Sequence, residues 1–429
     1  MMRTVYQAAT LPPVCNGLVP NWYRGVTAIP RATRARHGRY TVRRYGRQAV
    51  HPSLRQIRET EFPMLQEYTY LNTASQGPWP TRTIQAVHEA ATAMAYVNTP
   101  QGMPETAPAA QQARERLARL LHAQPDDIVW TSNTTHGLNM VAQGIDWRPG
   151  DNCVVPAGEF PSLAYAWGHL RARGVDVRLV PWDGAGPSVA ALLEAMDART
   201  RAVCCSAVAW DTGYRMDLED LGTHCAARGV LLVVDAIQAV GAHDLDVQAT
   251  RIAALATHGY KWLMAGFGVG ALYVAPAALD RIRPTFIGAQ SVLSPSDPGK
   301  DPFPWQPNAQ RYAAGGVNTL GLTALASSLG LIEELGIGTI AAHGRRLASL
   351  AATGLRQKSR LHVISDPRPE HCSTLVVFTC GSPAHDAQLV QDLAAQGIMV
   401  ALRPRGLRIA PHFYNTEADI ARLLEALPD

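Results

Sequence analysis

Asp235 and Lys261 stand where a charge is unfavourable unless something meets it. Asp235 ends the apolar run Leu231-Leu-Val-Val, and an unpaired carboxylate is costly to bury. Lys261 follows Thr257-His-Gly-Tyr260 and precedes Trp262, so its amine sits among aliphatic, aromatic and glycine residues. Such surroundings disfavour the ammonium and release the neutral amine that imine chemistry needs. A carboxylate and a lysine of this kind suit pyridoxal 5'-phosphate, the lysine as Schiff base and the acid as partner of the pyridinium nitrogen. Taken singly, each has a plainer account: an exposed strand end and a surface lysine.

Four further stretches fit the same cofactor. Asn133-Thr134-Thr135-His136-Gly137 opens a helix, and free N–H groups with hydroxyls at a helix start attract phosphate; threonine there also serves as an ordinary cap. Gln238, three residues beyond Asp235, is placed to donate to a phenolic oxygen or to be satisfied by nearby backbone. Phe160, in Gly-Glu-Phe-Pro-Ser, reads as a flat lid for an aromatic ring or as plain core. Arg408 lies in an apolar strand and needs a partner, either a substrate carboxylate held bidentately or an internal acid.

Elements that position these residues follow from periodicity. Helical patterns cover 83–96 and 107–122, and a short strand at 127–130 delivers the chain to Thr134. Strands at 152–156, 175–181, 202–209 and 230–235 then alternate with helices at 162–173, 189–196 and 218–228. This predicts an α/β fold with a parallel sheet and ligands at the carboxyl ends of its strands, where Thr134, Phe160, Trp210 and Asp235 fall. Gly266-Phe-Gly-Val-Gly leads into a strand rather than a helix, which excludes a dinucleotide fingerprint. After a loop over 294–318 and a long helix from 320 to 335, the C-terminal pattern reads as a small α/β sandwich. The chain thus divides into a basic arm (1–60), a large domain (61–335) and a small domain (336–429, with part of the N-terminal segment).

The body is ordinary in composition, 47% apolar and 17% charged. No apolar run reaches the ~18 residues of a membrane helix and no secretory signal is visible, so a cytoplasmic location without membrane attachment is expected. Seven cysteines without CxxC spacing read as reduced core residues, not as a disulfide framework or metal site. Eleven arginines and no acid fall within residues 1–58, leaving 28 basic against 35 acidic residues in the rest. Arginine alone, without lysine or interleaved aromatics, points to a poorly ordered extension before it points to nucleic acid.

Six stretches in order, Tyr70-Leu-Asn-Thr-Ala, Asn133-Thr-Thr-His-Gly, Val234-Asp-Ala-Ile-Gln238, His258-Gly-Tyr-Lys-Trp, Arg311-Tyr-Ala-Ala-Gly-Gly-Val-Asn318 and Leu407-Arg-Ile-Ala-Pro-His-Phe-Tyr-Asn-Thr416, give the chain from about Tyr68 to Leu427 a specific likeness. It resembles the class V aminotransferases, fold-type I enzymes that include cysteine desulfurases, kynureninases, isopenicillin N epimerase-like proteins and sulfoxide lyases. The resemblance implies a large domain with a mainly parallel seven-stranded sheet. It implies Lys261 as Schiff-base lysine, Asp235 at the ring nitrogen, Thr134 and Thr135 at the phosphate, Gln238 near the phenolic oxygen and Arg408 on the substrate carboxylate. It also implies a homodimer in which the Gly315-Gly316 segment of one subunit reaches the other's phosphate.

The departures bear on function. Tyr260 replaces the histidine that desulfurases carry before the lysine, His258 stands at a phosphate-binding hydroxyl position, Phe160 replaces a stacking histidine and Trp210 an asparagine. Ile398 to Arg408 is short and lacks the desulfurase cysteine. The resemblance implies activity on an α-amino acid, through an external aldimine and an α-carbanion, and the likeness to epimerase-like and sulfoxide lyase-like members points to a lyase or carbon–carbon or carbon–sulfur bond enzyme of specialised metabolism. Transamination, epimerisation and a non-catalytic scaffold are the alternatives.

Overall fold

The computed structural model describes residues 53–96, 107–294 and 304–429, and residues 51–429 form one compact unit. Its centre is a seven-stranded sheet: β1 (Ile128–Thr131), β2 (Asn152–Pro156), β3 (Asp176–Val180), β4 (Thr200–Ser206), β5 (Leu231–Asp235), β6 (Ala254–His258) and β7 (Gly270–Val274). The order across the sheet is β1-β7-β6-β5-β4-β2-β3, with β7 antiparallel to both neighbours and all other pairs parallel. A sheet covered on both faces needs strands apolar on both faces, which is why β5 reads as an unbroken Leu-Leu-Val-Val.

Alternation sorts each strand between two cores. Leu231, Val233, Ala254, Ala256 and Leu272 face one layer, where the helix Thr134–Gly144 brings Leu138 and Val141. Leu232, Val234, Leu255 and Tyr273 face the other, built on the helices Ala107–Leu121 and Thr319–Leu335. Gly137 allows the first helix to lie on the sheet, since a Cβ there would stand 3.1 Å from the Cβ of Ala256.

A third core joins the helices Ile337–Arg356, Pro383–Ala395 and Glu417–Ala426 to a four-stranded sheet: β8 (His362–Val363), β9 (Val376–Thr379), β10 (Ala401–Arg403) and β11 (Gly406–Ile409). Its order is β10-β11-β9-β8, antiparallel throughout. The position 335/336 falls at Gly336, where φ is 76° and the flanking helices bend by 80°.

The C-terminal unit is joined to the start of the body: Ile398–Met399 pairs in parallel with Thr69–Tyr70, while β10 joins the second sheet. Two expectations change. β6 was not among the expected strands, because Ala-Leu-Ala-Thr-His carries one large apolar residue and little β propensity. The end of the basic arm is folded, for Leu54–Glu61 is a helix whose Arg58 pairs with Asp419 at 2.7 Å and donates to the Tyr414 carbonyl at 2.6 Å. Residues 1–52, with nine of the eleven arm arginines and Cys15, lie outside the described residues, as do residues 295–303 of the 294–318 loop. The six described cysteines are free. Among the described residues no single helix is long and apolar enough to cross a membrane.

Candidate active site

The carboxyl ends of β4, β5 and β6 lie side by side. Ser206 is in register with Asp235, and Asp235 with Ala256. Asp235 is buried and accepts from the backbone N–H of Ile237 at 3.0 Å. Burial pushes its carboxyl up from the usual range, while that N–H and the Lys261 ammonium pull the other way. Lys261 is equally enclosed, with its Nζ 5.7 Å from the centre of the Phe160 ring and 5.6 Å from that of Tyr260. Burial, then the positive charges of Arg408 and Arg403, hold its ammonium well below the ordinary lysine value, and Asp235 only partly offsets them. The result is an amine easily freed of its proton next to a carboxylate that stays inside.

Two residues beyond Ala256, at the carboxyl end of β6, lies a cradle for an anion. Thr131, Gly270 and His258 form one rung across β1, β7 and β6. Asn133 caps the helix that starts at Thr134 by accepting from the His136 N–H at 2.8 Å. A Cβ on Gly270 would lie 2.7 Å from Thr131 Oγ1 and 2.9 Å from Asn133 Cα, so the strand and the helix start meet only because that residue is glycine. The Thr134 hydroxyl and His258 Nε2 are buried here without hydrogen-bond partners among the described residues. Burial, then the Lys261 charge, keeps His258 down at about 4, so its ring is neutral. Strand alternation puts His258 on the face of Ala256, Asp235 and the helix, and Thr257, whose hydroxyl is also buried without a partner among the described residues, on the face of Leu255. Orphaned polar groups at a helix start, near a buried lysine and carboxylate, suit the phosphate, aldehyde and ring nitrogen of pyridoxal phosphate.

Other residues are placed less centrally. Thr135 is exposed and donates to Ser162 Oγ at 2.7 Å. Gln238 is buried with its amide engaged, Nε2 donating to the Ala74 carbonyl at 3.1 Å and Oε1 accepting from Trp262 Nε1 at 2.8 Å. Phe160 meets Trp210 edge to face at 5.4 Å, and Tyr260 stacks on Phe267 at 4.5 Å. Gly316 is exposed and lines, with Ser132 and His136, a cavity of about 350 Å³ to which Asp235, Lys261 and Arg408 do not contribute.

Arg408 on β11 is one of the largest fully buried side chains. The internal acid that was the alternative to a ligand is absent among the described residues. Its guanidinium donates to the Trp210 carbonyl at 2.7 Å and to Ser75 Oγ at 3.0 Å, and its Nε has no partner.

Four site residues escaped the sequence reading. Ser75 directly follows the Tyr70-to-Ala74 motif, and Arg403 sits in a segment noted only for its missing cysteine. Gly77 has a signal only in three dimensions: its N–H donates to the Tyr260 carbonyl at 2.8 Å, and a Cβ would come within 2.1 Å of the Lys261 carbonyl oxygen. Glu159, beside Phe160, receives the N–H and hydroxyl of Ser206 on its carboxylate, and burial pushes it up to about 7, with Asp235 adding to the rise. A carboxylate just past a strand end was the available clue.

The family model for class-V aminotransferases matches residues 69–423. A probable cysteine desulfurase of Methanothermobacter thermautotrophicus is 30% identical over 86% of this chain and 96% of its own length. The isopenicillin N epimerase of Streptomyces clavuligerus is 30% identical over 83% of this chain and 93% of its own. Among solved structures, the cystine C–S lyase C-DES, in complex with its reaction product cysteine persulfide, superposes with a TM-score of 0.78 at 26% identity, covering 85% of this chain and 98% of that one. A mutant of C-DES, at 25% identity, holds glycine covalently linked to its pyridoxal phosphate cofactor. The match to the family model over most of the chain, on a fold whose cradle and lysine suit that cofactor, shows that this protein belongs to the class-V aminotransferases and uses pyridoxal phosphate.

Proposed function

We propose that the protein acts on an α-amino acid and breaks or rearranges a bond beyond the α-carbon, as a lyase or carbon–carbon or carbon–sulfur bond-processing enzyme, rather than passing the amino group to an acceptor. The observation that carries the reading is Arg408: a buried guanidinium without an internal acid, beside a lysine whose proton is loosely held. Bound pyridoxal phosphate supplies an electron sink for the substrate's α-carbon. Arg408 binds the α-carboxylate and fixes the amino acid's orientation. Lys261, as neutral amine, takes the α-proton and later returns it. With the cofactor bound, Asp235 would pair with the ring nitrogen and keep a proton there, while Thr134 and His258 would hold the phosphate. Phe160 and Trp210 form an apolar wall that excludes water.

The likeness to a cystine C–S lyase and to isopenicillin N epimerase supports chemistry beyond transfer of the amino group. The hairpin supports a role other than cysteine desulfuration, for Arg403 pairs with Gly406 across a two-residue turn, leaving no loop and no cysteine before Arg408. A second copy of the chain completes the site in this reading. Exposed Phe286 and Val317 beside Gly316 offer the apolar surface for it.

Incubating holoenzyme with single amino acids separates the outcomes. Keto-acid release, with the lysine-linked absorption band restored without an amino acceptor, is expected. Accumulation of the amine form of the cofactor would indicate an aminotransferase, and α-proton exchange without product an epimerase. Colourless protein that Lys261→Ala leaves spectrally unaltered would overturn the reading.

A further inference from the structure

The hairpin of β10 and β11 carries three arginines, and they differ in one respect. Arg405, at the turn, is neutralised: its Nε donates to Asp211 at 2.9 Å and its guanidinium lies 4.6 Å over the Trp182 ring. Neither Arg403 nor Arg408 forms an ion pair with any acid among the described residues. Both instead donate from Nη2 to one hydroxyl, Ser75 Oγ, at 2.5 Å and 3.0 Å, and that hydroxyl donates onward to Asn72 Oδ1 at 2.6 Å.

Register explains how the two guanidiniums meet. Ala401 pairs with Arg408, so Arg403, two residues on from Ala401, points to the same face. Opposite Arg403 stands Gly406, where φ is 142° and a Cβ would lie 2.2 Å from the Phe378 carbonyl oxygen. No side chain crosses from that position, and Arg403 is left to turn toward Ser75. Arg408 is buried and Arg403 half-buried, so the pair runs from the floor of the site toward its mouth. Both charges also depress the Lys261 ammonium, which places them at the reacting end of the site.

One α-carboxylate accounts for Arg408 and leaves Arg403 without a counterion. Two like charges sharing one neutral hydroxyl in a partly desolvated site are an unfavourable arrangement that a second anion relieves. We propose that the substrate is an α-amino acid carrying a second carboxylate, with Arg408 holding the α-carboxylate and Arg403 the distal one. This rests on the amino-acid reading above and names its substrate class.

The test uses holoenzyme and the change that amino acids cause in its visible spectrum, titrated in acid and amide pairs: L-aspartate with L-asparagine, L-glutamate with L-glutamine, and L-2-aminoadipate with L-homoglutamine. Wild type should bind the acid at least about tenfold more tightly than the amide in one pair. In Arg403→Gln that ratio should fall to near one, and Arg403→Lys should recover part of it. Equal preference in all three wild-type pairs would overturn the proposal, as would an Arg403→Gln variant whose acid and amide constants fall by the same factor, since both arginines would then hold one carboxylate. Holoenzyme that responds to no amino acid would instead sink the underlying reading, and this one with it.

Discussion

Thr134→Val should strengthen the cofactor-free fold and weaken its hold on pyridoxal phosphate in the same molecule. Thr134 is 5% exposed, and its hydroxyl has no partner among the described residues. Valine keeps the shape and the helix propensity and replaces the hydroxyl with a methyl group. An unpaired buried hydroxyl costs about 1–3 kcal/mol, so removing it should raise apoprotein stability by about 1 kcal/mol. With the cofactor bound, the same hydroxyl donates to a charged phosphate, a bond contributing about 1.5–3 kcal/mol. Losing it raises Kd roughly 10- to 150-fold, because each 1.4 kcal/mol is about a factor of ten. Urea unfolding of the apoprotein and cofactor titration followed by tryptophan fluorescence read the two effects separately. A lower apoprotein midpoint, or a Kd within about threefold of wild type, would refute the assignment of this hydroxyl to the phosphate.

Gly77→Ala puts a Cβ within 2.1 Å of the Lys261 carbonyl oxygen, so kcat should fall by at least about tenfold and Tm should drop; a kcat within about twofold would mean that the lysine loop is free to move. Arg58→Ala leaves Asp419 enclosed without its cation and should cost about 3 kcal/mol by chemical denaturation, against less than 1 kcal/mol for Arg55→Ala at the exposed Arg55–Glu59 pair. Acid should destabilise the apoprotein. His258 is lowered to about 4 and His243 and His412 to about 3, all three chiefly by burial, so each lends stability above pH 6.5 that is lost as pH falls toward those values. Glu159, raised to about 7, and Asp235, also raised, act in the opposite sense, losing stability as pH rises from the ordinary carboxylate range. Three groups outweigh two, so the urea midpoint should be lower at pH 5 than at pH 7.5, and His243→Leu should flatten that slope.

Legibility in the sequence followed how local each cause was. β5 and the helix after β1 were readable because a run of apolar residues and an Asn-Thr-Thr start carry their own instructions. β6 was not, since Ala-Leu-Ala-Thr-His becomes a strand only by being enclosed between β5 and β7. The same holds in the site. Asp235 and Lys261 announced themselves through the mismatch between charge and neighbours. Ser75 and Gly77 did not, because their roles depend on Arg403, Arg408 and the Lys261 backbone, which lie far off in sequence. Arg408 was half legible: its need for a partner showed in one dimension, whereas the absence of an internal acid showed only in three.

What the chain leaves unsatisfied has an order to it. At the phosphate end the deficit is of hydrogen-bond partners, for the Thr134 hydroxyl and Nε2 of the neutral His258 ring are buried with none among the described residues. At the substrate end the deficit is of negative charge, for Arg403 and Arg408 converge on one hydroxyl. Between them Lys261 is pressed toward its neutral form and Asp235 is kept inside. Each deficit weakens the empty fold, and each is met by an anion: a phosphate at one end and carboxylates at the other. Ligands that bind the native state alone shift unfolding by mass action. Cofactor and a doubly acidic amino acid should therefore stabilise the protein in two separable steps, the first abolished by changes at Thr134 and the second reduced by changes at Arg403.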